Sequence, residues 1–151
     1  MNILSKIDTP CIGVCSTVYG DVICRGCKRQ AQEVIDWNTY QANEKQKVFE
    51  RLANSIENTM QDKIAITDIS QLRLQLDAHS VRYREEESPL CWVYHLLRIG
   101  ADKIHDINKY GFQMQEAFQT YSLAELFALV DAEILEQAQQ KNVAISRGNS
   151  L

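Results

Sequence analysis

Four of the chain's five cysteines crowd into one short stretch, in the order Cys11-x3-Cys15-x8-Cys24-x2-Cys27. A short sequence that concentrates thiols this way either cross-links them or gives them to a soft metal. The choice turns on compartment. Met1 to Pro10 shows no apolar run of leader length followed by a small-residue cleavage site. No stretch approaches the roughly 20 apolar residues that a bilayer span needs. The longest apolar patch, Leu90 to Tyr94, is followed by His95 and Arg98. These readings predict a cytoplasmic protein without membrane contact. Thiols stay reduced in the cytoplasm, so Cys11, Cys15, Cys24 and Cys27 are expected to be metal ligands rather than disulfides.

Four thiolates suit a structural zinc or an iron–sulfur cluster, 4Fe–4S or 2Fe–2S, because soft sulfur prefers these metals to harder ones. Within each pair the spacing lets both sulfurs reach one centre. The eight-residue link has to fold back. Gly20-Asp21, set between the β-favouring residues Thr17 to Tyr19 and Val22-Ile23, predicts a tight hairpin that brings Cys24 beside Cys15. Pro10, Gly13 and Gly26 suit the bends around the two pairs. The spacing does not choose the metal. The x8 linker is shorter than zinc-finger spacers, and the pattern matches neither common ferredoxin spacing.

Pro10-Cys-Ile-Gly-Val-Cys15, then Cys24-Arg-Gly-Cys27-Lys-Arg29, then Glu33, Trp37, Glu44 and Leu52 resembles the YdhL-like family of small bacterial predicted Fe–S proteins, a domain of unknown function. The resemblance covers about residues 8–55, and longer members carry a similar-looking extension. It implies an iron–sulfur cluster on the four cysteines, with zinc as the alternative that the spacing leaves open.

Arg25, Lys28 and Arg29 surround the second cysteine pair. They are expected to offset the negative charge of a four-thiolate centre. The sharper reading is an anionic contact with a redox or macromolecular partner such as an acidic protein or RNA phosphate. No aromatic–basic interleaving supports a nucleic-acid stacking surface. The net charge of −4 lacks the basic excess of a dedicated nucleic-acid binder. Residues 1–52 hold seven Lys/Arg and six Asp/Glu against nine and fourteen in the remainder, so the acidity sits in the C-terminal part. Trp37, four residues after Glu33, is expected to pack over the module and shield the metal.

Beyond the cysteines the pattern predicts an α+β, helix-rich chain. A four-cysteine module of loop, hairpin and helices spans 8–60, a small α+β unit 61–145, and a frayed tail 146–151. In the module one helix runs from about Lys28 to Trp37, with Ala31, Val34 and Ile35 on one face. A second opens near Asn43 and Gln46 and carries the stripe Val48, Phe49, Leu52, Ala53 and Ile56. Lys63 to Thr67 and Val81 to Arg84 are expected strands. Asp68 caps a helix to about His79, although Leu72, Leu74 and Leu76 also fit strand alternation. Ser88-Pro89 starts a helix that ends at a left-handed Gly100. Lys109 to Met114 is turn-like or extended, and Ser122-Leu-Ala-Glu125 opens a last helix to about Lys141.

Cys91 falls in the first turn of the Ser88 helix, where the dipole can depress a thiol pKa, with His95 one turn on. The pair could act as nucleophile and base; the alternative is a small buried thiol. His79 and His105 read as isolated surface residues, and Glu85-Glu86-Glu87 as a solvated loop. Three functions follow in order. The first is a non-catalytic iron–sulfur protein that transfers electrons or senses redox or iron state. The second is a zinc-stabilised protein- or nucleic-acid-interaction module. The third is an enzyme using Cys91 and His95.

Overall fold

A computed structural model describes residues 9–13 and 15–148 of the 151. The residues read for a leader, 1–8, lie outside it, as do 149–151 of the expected tail. The fold is α+β and rich in helix: five α-helices and one two-stranded antiparallel sheet among the described residues. None of these helices is long and apolar enough to cross a membrane. The chain divides into two compact units. One is Ala53–Asp131, and the other joins Thr9–Leu52 to the chain from Ala132 on.

Thr9–Leu52 holds the cysteines. After Cys15 the chain makes a 3₁₀ turn, Ser16–Tyr19, closed by Gly20 at φ 96°. Gly20 occupies the left-handed region that a residue without Cβ enters at no steric cost. The expected β-hairpin therefore does not form. Gly20 N–H bonds back to Thr17 O and Asp21 N–H to Ser16 O, so these groups are spent within a tight turn instead of across a ladder. The reversal itself is retained, because Arg25 N–H donates to Ser16 Oγ at 2.8 Å.

A second turn, Cys24 to Arg29, is closed by an isolated bridge between Ile23 and Gln30. Helix α1 then covers Ala31–Asp36, shorter than expected, because Lys28 to Gln30 serve the turn. Its entry is a reciprocal cap: Gln30 N–H donates to Glu33 Oε1 at 2.9 Å while the Gln30 side chain meets the Glu33 backbone. A 3₁₀ turn at Trp37–Thr39 follows, and α2 occupies Ala42–Met60. There Glu44, not Gln46, reaches back to the chain entering the helix, taking the Gln41 N–H at 3.2 Å. Val48, Phe49 and Ile56 of the expected stripe are buried, and Leu52 and Ala53 are half-buried.

In the Ala53–Asp131 unit, β1 (Ile64–Ile66) pairs antiparallel with β2 (Phe112–Met114), Ala65 opposite Gln113. The second strand is thus not Val81 to Arg84. That segment buries Val81 and Tyr83 and turns Arg82 outward; its alternation reports burial without pairing. Between the strands lie α3 (Ile69–Ala78) and α4 (Pro89–Gly100). Asp68 Oδ1 caps α3 by accepting the Gln71 N–H at 3.1 Å. Leu72 and Leu76 are fully buried while Leu74 is 61% exposed. A strand would place all three on one face, so this split is the helical one.

Ser88 caps α4 with Pro89 in its first turn. Gly100 is its last helical residue and is not left-handed. Ala101 continues in helical conformation and returns its N–H to Leu97 O, so no left-handed stop is required there. Within the Ala53–Asp131 unit the glycine with positive φ is Gly111, at 75°, between a 3₁₀ turn (Ile107–Tyr110) and β2. Its carbonyl accepts the N–H groups of both Thr67 and Asp68. Finally α5 runs over Leu123–Gly148, past the expected end near Lys141, with Ser122 Oγ capping the Glu125 N–H at 3.1 Å.

Candidate metal centre

The Cys24 to Arg29 turn is built by its own backbone. Cys24 N–H donates to Arg29 O at 2.9 Å and Lys28 N–H to Cys24 O at 2.8 Å. The geometry forces Lys28 to φ 67°, a conformation that favours glycine. Its side chain answers the strain by folding over the turn, where Nζ donates to the carbonyls of Arg25 and Gly26. Lys28 is consequently buried. Arg29 is buried too, at 4% exposure. Arg25 remains exposed and pairs with Asp21 at 3.2 Å. The sharper reading, an anionic contact, is thus left with Arg25 as the exposed cation of the three, because Lys28 and Arg29 are buried in holding the cysteine turn.

Each of the four cysteine sulfurs lies within hydrogen-bonding reach of a donor. Gly13, held at φ 89°, sends its N–H to Cys11 Sγ at 3.4 Å. Cys15 Sγ lies 3.0 Å from Thr17 Oγ1. Burial disfavours ionisation of Cys24, but hydrogen bonds from the backbones of Cys27, Ser16 and Gly26, with one from the Cys27 side chain, outweigh it. They bring the Cys24 thiol down to about 7. Arg29 Nε donates to Cys27 Sγ at 3.1 Å. Burial nonetheless pushes the Cys27 thiol up, against the opposing pull of Arg29. The structure thus brings Cys24 and Cys27 together as one pair. Among the described residues no three His, Cys, Asp or Glu side chains converge as a ligand group, so Cys11 and Cys15 are not joined to that pair. The donor set suits a thiolate-bound metal: N–H groups aimed at sulfur stabilise the charge that such ligands carry.

Around the pair lies a shell that cysteine spacing does not reveal. The Arg29 guanidinium carbon sits 4.9 Å from the Trp37 ring centroid and Lys45 Nζ 5.6 Å from it. Trp37 is 5% exposed and meets Phe49 edge-on at 5.7 Å, the packing role expected of it. Arg51 grips Glu33 through two bonds of 2.6 Å each. That bond above all raises the Arg51 pKa, and the nearby Cys27 adds to the effect. Glu33 therefore caps α1 and anchors Arg51 at once. The four-residue step from Glu33 to Trp37 was visible in sequence, but the link to Arg51 was not.

Cys91 and His95 are not an activated pair. The Cys91 thiol donates to Ala53 O at 3.4 Å. Burial, followed by the charges of Glu87 and Glu57, pushes its pKa up, and the helix start does not overcome them. Burial, with Arg98 beside it, holds His95 down at about 4. Glu87 corrects the picture of a solvated acidic loop. Its side chain is only 10% exposed, and burial raises it to about 7 against the pull of Arg84. His79 and His105 are exposed, and His79 stacks on Tyr110 at 6.1 Å.

The chain matches no curated protein and no solved structure. Residues 9–55, the segment that carries all four cysteines with Glu33, Trp37 and Arg51, match the model of a family described as a protein of unknown function, DUF1289.

Proposed function

We propose that Cys11, Cys15, Cys24 and Cys27 hold an iron–sulfur cluster and that the protein transfers electrons or senses redox or iron state in a reducing compartment. The observation that carries this reading is the direction of the sulfur hydrogen bonds. Cys11, Cys24 and Cys27 accept from N–H groups and Cys15 shares a bond with a hydroxyl, whereas the Cys91 thiol donates to a carbonyl. Each of the four sulfurs lies where a donor can reach it, whereas the fifth sulfur is itself the donor. When bound, a cluster supplies a site that takes up and releases single electrons. The chain's own residues hold the ligands, shield one side with Trp37 and offset thiolate charge through Arg29 and Arg51. The resemblance to the YdhL-like family of predicted Fe–S proteins leads to the same choice of metal, while the family model that matches residues 9–55 is described only as of unknown function. Of the basic trio, Arg25 is the member left at the surface for an anionic partner.

Structural zinc is the competing occupant, favoured by one specific observation. Among the described residues of the unit that joins Thr9–Leu52 to the chain from Ala132 on, the buried apolar side chains are Ile23, Cys24, Trp37, Val48, Phe49 and Ile134, alongside buried Ser16, Lys28, Arg29 and Glu33. So small and polar an interior is what a metal commonly supplements. Anaerobic purification with a visible spectrum and iron, sulfide and zinc analysis separates the two. Brown protein with broad absorption and matched iron and sulfide is expected. Colourless protein with stoichiometric zinc overturns the cluster and leaves the interaction module.

A further inference from the structure

Cys24 and Cys27 face each other across a single turn. They flank Arg25-Gly26, and the turn is tied by Cys24 N–H to Arg29 O at 2.9 Å and Lys28 N–H to Cys24 O at 2.8 Å. Within it the two cysteine side chains hydrogen-bond to one another. Cys11, Cys15 and Cys91 bond instead to groups other than sulfur: Gly13 N–H, Thr17 Oγ1 and Ala53 O. One pair of sulfurs is thus placed to join, and the others are not. The pair is also asymmetric. Cys24 is 1% exposed, whereas Cys27 is half-buried, with its sulfur held by Arg29 Nε at 3.1 Å. A small reagent therefore meets Cys27 first, and the product forms against Cys24.

We propose that Cys24 and Cys27 are a thiol–disulfide switch: a hydroperoxide oxidises Cys27, and Cys24 resolves the product into a reversible disulfide across the turn. The switch works on the chain while it holds no metal, so it goes beyond the metal reading and stands whichever metal the four cysteines take. In the first step Cys27 Sγ attacks one peroxide oxygen. An S–O bond forms, the O–O bond breaks, and the thiol proton leaves with the expelled hydroxide as water. In the second, Cys24 Sγ attacks the Cys27 sulfenic acid. The S–S bond replaces the S–O bond, and the hydroxyl leaves with the Cys24 proton as a second water. The two sulfurs give up two electrons in all, and the peroxide takes them. A thiol reductant returns two electrons and two protons by exchange. Two intervening residues keep the sulfurs within reach even when the turn opens transiently. In a reducing compartment such a bond is short-lived, as a sensor requires.

The test uses the full-length chain, reduced, freed of metal by anaerobic chelation and then exposed to stoichiometric hydrogen peroxide. Free thiols are blocked with iodoacetamide. Trypsin, cutting after Arg25, leaves Cys24 and Cys27 on separate peptides that a disulfide alone would join. Fragment masses are expected to place the bond between these two cysteines. It should exceed any other cysteine pairing by about tenfold or more, the advantage of a partner already in contact, and dithiothreitol should remove it. C24S takes away the resolving thiol, so dimedone should label Cys27 as its sulfenic acid, while C27S should leave buried Cys24 unlabelled. If C24S does not fold, dimedone added together with peroxide to wild type identifies the sulfur attacked first. A bond from Cys27 to Cys11 or Cys15, a sulfinic acid on Cys27 without a disulfide, or thiols that all remain open to iodoacetamide overturns the switch. Dimedone on Cys24 in place of Cys27 overturns the order of attack. Protein that purifies without iron or zinc removes the metal reading and leaves the outcome of this test unchanged.

Discussion

Lys28 and Arg29 are adjacent cations with different tasks, and neither task is electrostatic display. Lys28 accepts a left-handed backbone and uses its ammonium to satisfy two carbonyls of its own turn. Arg29 uses its guanidinium on a sulfur and an indole. A run of cations reads as a surface by default, because burying one without partners is expensive; here the turn supplies the partners. His95 shows how burial also dictates a pH response. The depressed value of about 4 means that the folded state holds it neutral while the unfolded chain titrates at an ordinary imidazole value. Its contribution is therefore present above about pH 6.5 and lost as pH falls toward 4. The pKa gap sets an upper bound on the order of 3 kcal/mol for that loss. H95Q is expected to flatten the acid limb of stability between pH 7.5 and 4.5, read as the urea midpoint at each pH. An acid limb as steep as that of wild type would show that His95 is hydrated in the native state.

At the scale of elements, starts were legible and pairings were not. Asp68, Ser88-Pro89 and Ser122 announce α3, α4 and α5 because capping is a local transaction between a side chain and N–H groups two or three residues on. Strand partners are set at long range. β1 was readable in Lys63 to Thr67, yet its partner Phe112–Met114 lies almost fifty residues downstream, while Val81 to Arg84 alternates equally well and pairs with neither strand. The cysteine site divides in the same way. The cysteine cluster was legible from spacing, but Arg29 on Cys27 and Arg51 on Glu33 depend on how the turn and α2 meet. Gly111 is the element-scale prediction. A methyl group there would collide with the Asp68 carbonyl, and φ is already 75°. G111A is expected to cost more than about 1 kcal/mol of stability, measured by urea unfolding. It should also weaken amide protection at Thr67 and Asp68, whose N–H groups bond to the Gly111 carbonyl. An unchanged midpoint would mean that the β1–β2 pairing tolerates a shift of the turn.

For the molecule as a whole, the two units are stabilised by different means. Ala53–Asp131 contains fully buried Met60, Leu72, Leu76, Phe112 and Leu126, each contributing about 1.5–3 kcal/mol of apolar burial. The unit that joins Thr9–Leu52 to the chain from Ala132 on has, among the described residues, Ile23, Trp37, Val48, Phe49 and Ile134 as its apolar anchors and shares its interior with four polar or charged side chains. If metal binding supplies the missing stability, its removal should be felt unequally along the chain. Hydrogen exchange on the full chain before and after anaerobic chelation addresses this directly. The amides of Cys24, Lys28 and Ala31, which bond to Arg29 O, Cys24 O and Val22 O, are expected to lose protection by about a hundredfold or more. Amides of α3 and α4 should keep theirs within a few-fold, because their core contains no cysteine of the proposed centre. Uniform loss across the chain would show that the units fold as one cooperative body. Unchanged protection at Cys24 and Lys28 would show that the turn is stable without metal, and that the sulfurs are preorganised by hydrogen bonds alone.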